Sequence, residues 1–235
     1  MGITSGRGRL RTVSATAAVL ALSGTGLVAY GLSKQDTATP PSPGRSTAAA
    51  ESPSGAASSS PPARKGAAYA VPQGEVLDRS QPTRVRIPSL KVNTDVIDLG
   101  LQPNRRMEVP QNGKQAGWFT GSPTPGQLGP SIIAAHVTWQ SKRGVFFELG
   151  AMKPGQRIEV DRQDGSTAAF QVDQVGQYPK ASFPTEKVYG TVDRAELRLI
   201  TCGGVYDGDS GHHLDNIVVF AHLVPSTAPP AHHAG

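Results

Sequence analysis

Residues 197–213 read LRLITCGGVYDGDSGHH, and the kind of barrel the chain builds follows from which of these residues is placed to react. The stretch begins as an alternating strand, Glu196 to Thr201, that is expected to end at Cys202 where Gly203-Gly204 breaks it. Cys202 is the only cysteine in the chain, so no internal disulfide is available. A lone cysteine is either a small buried hydrophobe or, with a histidine partner elsewhere in the chain, a catalytic thiol. Eight residues on, Gly208-Asp209-Ser210-Gly211 offers a second candidate nucleophile.

The serine candidate fails on spacing. A Ser-His-Asp triad needs a histidine base, an orienting acid and an oxyanion hole. The upstream histidine strand, Ile133-Ala134-Ala135-His136, lies 74 residues before Ser210. In the chymotrypsin arrangement the separation is roughly 140, with most of a barrel between the two. Gly, Asp and Ser are standard turn formers, so Ser210 reads as a turn residue. The cysteine candidate fits better. Cys202 and His136 each follow a strand, and two neighbouring strand ends bring such side chains together. The thiolate is the nucleophile, and the histidine then protonates the leaving amine.

Outward from the two strands, the chain carries 235 residues and a net charge of +5. Residues 1–67 hold seven basic and two acidic residues, and the remainder is balanced at 16 of each. A nucleic-acid binder would carry its basic footprint on the folded domain, so this class is set aside. Residues 12–32, TVSATAAVLALSGTGLVAYGL, contain no charge, and their length matches the ~20 residues that span a bilayer. Arg7, Arg9 and Arg11 precede them, which places the N-terminus in the cytoplasm and the rest outside. A cleaved signal peptide is the rival reading, although the apolar run is long for one. Residues 33–67 lack aromatic residues, Leu, Ile, Val and Met. Such a tract reads as a disordered tether reaching roughly 30–35 Å r.m.s..

From residue 68 the composition turns globular. Strands are expected near 84–87, 95–99, 131–135, 157–161, 167–175, 197–201 and 216–223, with a two-residue hairpin at Asp164-Gly165 and one short helix at 145–150. Many short strands and few helices argue for an all-β barrel or sandwich. The tail at 225–235 reads as disordered.

At these residues the sequence resembles the sortase family. Leu199-Ile200-Thr201-Cys202 is similar to the family's TLxTC-type strand, and Ala134-Ala135-His136-Val137 to its histidine segment. Arg86-Ile87-Pro88-Ser89-Leu90, Leu99-Gly100-Leu101, Gly117-Trp118-Phe119, Arg143-Gly144-Val145-Phe146-Phe147 and Asp215-Asn216-Ile217-Val218-Val219 extend the likeness over most of residues 80–224. Thr201-Cys202-Gly203-Gly204 looks most like the actinobacterial class F group. The resemblance implies a closed β-barrel of about eight strands with one or two short helices. It also implies a transpeptidase that cuts an LPxTG-type sorting signal after Thr. Cys202 would form the acyl-thioester and His136 would protonate the departing glycine amine. An amine of a peptidoglycan precursor would resolve the thioester, with no metal or organic cofactor. The implied partners are secreted proteins with C-terminal LPxTG-type signals, the peptidoglycan amine, and the membrane through the N-terminal helix. The resulting organisation is a cytoplasmic start at 1–11, a transmembrane anchor at 12–32, a linker at 33–67, a catalytic domain at 68–224 and a tail at 225–235.

Two positions depart from the family pattern. Ala135 stands where the family has Gly before His-Val. The family's arginine on the strand after the cysteine is missing, and no Arg follows Cys202. By register its place falls at Asn216, or at Leu214 two residues earlier on the same face. Asn216 can donate one amide hydrogen bond to an oxyanion, without the charge or fork of Arg. Three readings stay open: Asn216 substitutes directly, Arg143 or Arg198 fills the space, or the enzyme is weak.

Other constellations read as structure. His212, His213 and His222 with Asp207, Asp209 and Asp215 match no zinc spacing and read as solvated turn residues. Arg105-Arg106 beside Pro103-Asn104 reads as a solvated turn. Trp118-Phe119 and Phe146-Phe147 read as core or cleft wall. Two rival functions remain: a cysteine hydrolase without transfer, and a non-enzymatic binding domain on the same fold.

Overall fold

The computed structural model describes residues 39–44 and 74–226. The predicted span at 12–32, most of the predicted linker and residues 227–235 lie outside the described residues. Among the described residues no helix is long and apolar enough to cross a membrane.

The strands run β1 Pro82–Ile87, β2 Val92–Leu99, β3 Ala116–Phe119, β4 Gly129–Ala135, β5 Thr138–Trp139, β6 Lys142–Arg143, β7 Arg157–Arg162, β8 Thr167–Pro179, β9 Ala195–Asp207 and β10 His212–Val224. Eight of them close into a barrel in the order β1-β2-β3-β4-β9-β10-β8-β7, and β5 and β6 form a separate two-stranded ribbon. Closure leaves no sheet edge along the barrel wall. Most neighbours are antiparallel, whereas β2 with β3 and β4 with β9 are parallel. Among the described residues a single α-helix, α1 Thr185–Tyr189, lies in the long connection from β8 to β9.

The strand period of two divides the apolar residues between an inner and an outer layer. Val85, Ile87, Ile133, Ile158, Val160, Phe170, Leu197, Leu199, Ile217 and Val219 face inward with Trp118 and Phe146 to fill the barrel. Leu99, Ile132, Ala134, Ile200, Val218 and Phe220 form a second cluster on the outside, capped by Val188 of α1. Every residue of β4 is therefore buried, as is the first half of β9. That explains the near-continuous apolar reading of residues 131–135, since parallel strands covered on both faces lose polar alternation. Trp118 and Phe146 are fully buried and Phe147 nearly so, which places them in the core, while Phe119 is half-buried against the outer layer.

Several expectations shift. All seven predicted strands are present, most of them longer than expected, because ladder pairing continues past the apolar run. The alternation expected of residues 196–201 does not hold, since Glu196 and Arg198 are buried beneath the outer layer. β3 and α1 were not anticipated, being short and without a clear period. The expected helix at 145–150 is a run of i→i+3 turns ending in a 3₁₀ turn, Leu149–Ala151. A stretch that short, with a glycine in it, does not sustain an α-helix. Asp164-Gly165 does close the β7–β8 hairpin, but in a three-residue loop. Gly165 N–H donates to Arg162 O and Arg162 N–H to Ser166 O, with Gly165 at φ +83°. That is a type I turn followed by a left-handed glycine.

The loop after β4 is held by a close backbone approach. Gly144 N–H donates to Val137 O, and Phe146 N–H to His136 O. A Cβ at Gly144 would lie 2.2 Å from His136 O, a backbone atom with little room to yield. Gly144→Ala is expected to push this loop off His136 and to lower the unfolding free energy by about 1–3 kcal/mol, measured by urea denaturation.

Candidate active site

β4 and β9 run parallel with Ala134 opposite Ile200. Continuing that register, Ala135 meets Thr201 and His136 meets Cys202. Strands in one sheet lie about 4.8 Å apart, so His136, just past the end of β4, comes alongside Cys202 within β9. A specific bond fixes this end of the pair: buried Thr201 donates its hydroxyl to Ala135 O at 2.8 Å. Each partner of that bond directly precedes one of the two functional residues. The Ala135 methyl belongs to the inner core cluster.

Cys202 is not at the end of its strand, as the sequence suggested. β9 runs on to Asp207, paired with β10 throughout. What ends is the neighbour β4, so beyond Thr201 the β9–β10 hairpin overhangs with one edge uncovered. Gly203-Gly204 does not stop the strand. Gly204 adopts φ +70°, and Gly204-Val205 stand opposite the single residue Leu214. This bulge twists the overhanging hairpin beside the site. His213 is thereby buried, with its Nδ1 against Gly204 O at 3.1 Å, while Leu214 is half exposed.

The overhang, the loop before β3 and the connection holding α1 enclose a cleft of about 830 Å³. His136, Cys202 and Asn216 all line it, over a floor of Ala134, Ile200 and Thr201. Val109 and Pro110 line it from the loop side, and Phe183 and Tyr189 from the α1 side. Asn216 is the cross-strand partner of Cys202, and directly opposite residues share a face with Cβ atoms about 4.5–5.5 Å apart. Leu214 does not line the cleft, which separates the two positions the sequence left open for the missing arginine. His136 packs on Trp139 at 4.7 Å between ring centroids, and its Nε2 meets Pro110 O at 2.8 Å. A carbonyl only accepts, so Nε2 carries a proton in this arrangement.

Charge in the cleft is of one sign. Arg106 and Lys180 line it together with His136, His212 and His213, and no acidic residue does. Lys180 Nζ donates to His213 O at 2.6 Å, which ties the β8–α1 connection to β10. Neither cation was anticipated. Residues 103–106 do form a turn, with Arg106 N–H donating to Asn104 Oδ1 at 3.0 Å, but tertiary folding lays Arg106 along the cleft. The two arginines considered from sequence are committed elsewhere. Arg143 pairs with Glu148 at 3.1 Å and stacks over Phe147. Arg198 is buried against Glu196 and the Phe220 ring. Neither lines the cleft.

Ser210 sits in the exposed turn between β9 and β10, outside the cleft. Its hydroxyl hydrogen-bonds Asp207 and holds that carboxyl below its ordinary value, which is the behaviour of a turn residue. The histidines weighed as metal ligands disperse: His213 is buried in β10, contrary to the solvated reading, and His222 pairs with Asp173 at 2.7 Å. Among the described residues no cluster of His, Cys, Asp or Glu could hold a metal ion.

The hydroxyl bond gives a direct test of how this corner is held. Thr201→Val keeps the side-chain shape but leaves Ala135 O without its buried donor. The expected loss is about 1–3 kcal/mol of unfolding free energy, with Thr201→Ser retaining most of the wild-type value in the same urea titration.

A sortase-domain family model matches residues 85–224. None of the curated proteins matches the chain by sequence. Among solved structures, sortase A from Corynebacterium diphtheriae is 19% identical with a TM-score of 0.50, covering 66% of this chain and 64% of that one. Sortase C1 from Streptococcus suis is 19% identical at a TM-score of 0.48, covering 64% of this chain and 76% of that one. Sortase C-1 from Actinomyces oris is 22% identical at 0.47, covering 61% and 73%. At 19% identity the likeness to the Corynebacterium diphtheriae enzyme speaks for the fold alone. The family match takes in more than half of the chain, from β1 to the end of β10, and includes His136, Cys202 and Asn216: the chain belongs to the sortase family.

Proposed function

We propose that this sortase is a membrane-anchored cysteine transpeptidase of the class F type, cleaving an LPxTG-type sorting signal after Thr. The supporting observation is the parallel register of β4 and β9, paired as far as Ala134 and Ile200, with His136 and Cys202 two residues further along each strand and both lining one cleft. The Cys202 thiolate attacks the Thr carbonyl carbon, forming the C–S bond and a tetrahedral oxyanion. His136 gives a proton to the glycine nitrogen as the C–N bond breaks and the acyl-thioester remains. An amine of a peptidoglycan precursor then attacks the thioester, gives up a proton to His136 and releases Cys202. These steps draw only on side chains and substrate.

Asn216 is the proposed oxyanion donor, since it faces Cys202 from the opposite strand. Its amide supplies a hydrogen bond, and the positive lining of Arg106 and Lys180 favours the charge that develops. On this reading the segment at 12–32 holds the protein in the membrane with the barrel outside, where exported proteins and wall precursors meet. The missing arginine is the one observation that favours a second reading, a binding domain that holds sorting peptides without cutting them.

A sorting-peptide assay with and without an added amine distinguishes the readings. Transpeptidation gives an amine-linked product. Hydrolysis gives the same free acid in both conditions, and a binding domain leaves the peptide intact. Cys202→Ala is expected to abolish product and Ser210→Ala to leave it unchanged; the reverse pattern would sink the proposal. Asn216→Ala is expected to slow acylation by about 10²-fold, the cost of one oxyanion donor, measured by the rate of thioester formation in single-turnover experiments.

A further inference from the structure

A second recess, apart from the catalytic cleft, lies between the 3₁₀ turn at Leu149–Ala151 and the middle of β8. It encloses about 510 Å³ and is lined by Gly150, Met152, Pro154, Asp173 and Val175. Its remaining wall is the chain's own residues 41–44, from the stretch Thr39-Pro40-Pro41-Ser42-Pro43-Gly44. Pro40 is buried and Pro41 and Pro43 are half-buried, whereas Thr39, Ser42 and Gly44 are exposed. A polyproline helix repeats every three residues, which puts Pro40 and Pro43 on one face. All three prolines are at least half-buried, and the residues between and around them are exposed.

The fit is closest at Gly150. A Cβ there would lie 2.0 Å from Pro41 O and 3.6 Å from Pro43 Cδ. Only a residue without a side chain lets the proline backbone come so near. Proline also suits such a seat for two reasons. It brings no N–H that burial would leave without an acceptor, and its fixed φ reduces the ordering lost on docking.

We propose that the surface around Gly150, at the edge of this recess, is a docking site for proline-rich chain, occupied in cis by residues 40–43. Composition alone gives a tether with no fixed point before the barrel. Docking gives it one.

The test places a nitroxide at Ser42 by Ser42→Cys in the full chain, in detergent micelles, with Cys202→Ala removing the native thiol. Ser42 is exposed, so the label leaves the seat intact. Paramagnetic broadening is expected at the amides of Met152, Lys153 and Gln174. It should disappear when Pro40→Ser and Pro43→Ser are added. Those two changes lie outside the barrel, so the remaining spectrum reports that it is folded. Gly150→Val should release the segment from the other side. Broadening that is absent or spread evenly over the barrel, or that survives the proline substitutions, overturns the proposal. Peptide cleavage plays no part in this readout, so a chain without transpeptidase activity would still give the answer.

Discussion

The hydroxyl of Thr201 on the carbonyl of Ala135 is the bond on which this site depends. It crosses between two parallel strands that are 66 residues apart in sequence, at the last point where they run together. One residue beyond it on each strand come His136 and Cys202. Parallel register requires a long crossover, and here that crossover carries the β5–β6 ribbon, β7, β8 and α1. A slip of one residue would turn Cys202 to the other face of β9, toward the barrel core. The outer apolar layer under Val188 and the inner layer around Leu199 oppose such a slip from both sides.

The cleft that opens beyond this bond has an unusual balance of charge. Its fixed cations come from a turn before β3 and from the connection after β8, rather than from an arginine on β10. Lys180 is tied to β10 through His213 O, so its charge is held on the rim and does not swing freely in solvent. In the proposed mechanism Asn216 supplies direction and the cations supply field. The two demands that a guanidinium meets with one side chain are here divided among residues from three parts of the chain.

Much of this was legible in the sequence. Strands with apolar runs were readable because burial imposes a period, and Cys202, His136 and Asn216 were readable because each sits at a fixed offset from such a strand. The demotion of Ser210 needed only spacing and turn chemistry. What was not legible came from pairing. Gly203-Gly204 looked like a strand break, but continuous pairing with β10 carries the strand through, with Gly204 absorbed as a bulge. Arg106 looked like a solvated turn residue because nothing in Pro103-Asn104-Arg105-Arg106 says which surface the turn lies against. Arg198 looked available to the site because its burial under Phe220 is a contact between strands.

The sequence by itself determined the all-β class, the positions of the longer strands and the candidate cysteine and histidine, because these follow from local periodicity and from residue types at fixed spacing. Tertiary structure alone decided that β4 and β9 share a parallel register, that the cleft is lined by cations and by no carboxylate, and that residues 40–43 of a low-complexity tract lie against Gly150. These features depend on which distant segments meet. A meeting of that kind is set by close packing and backbone hydrogen bonding across the whole barrel, which no single stretch of chain records.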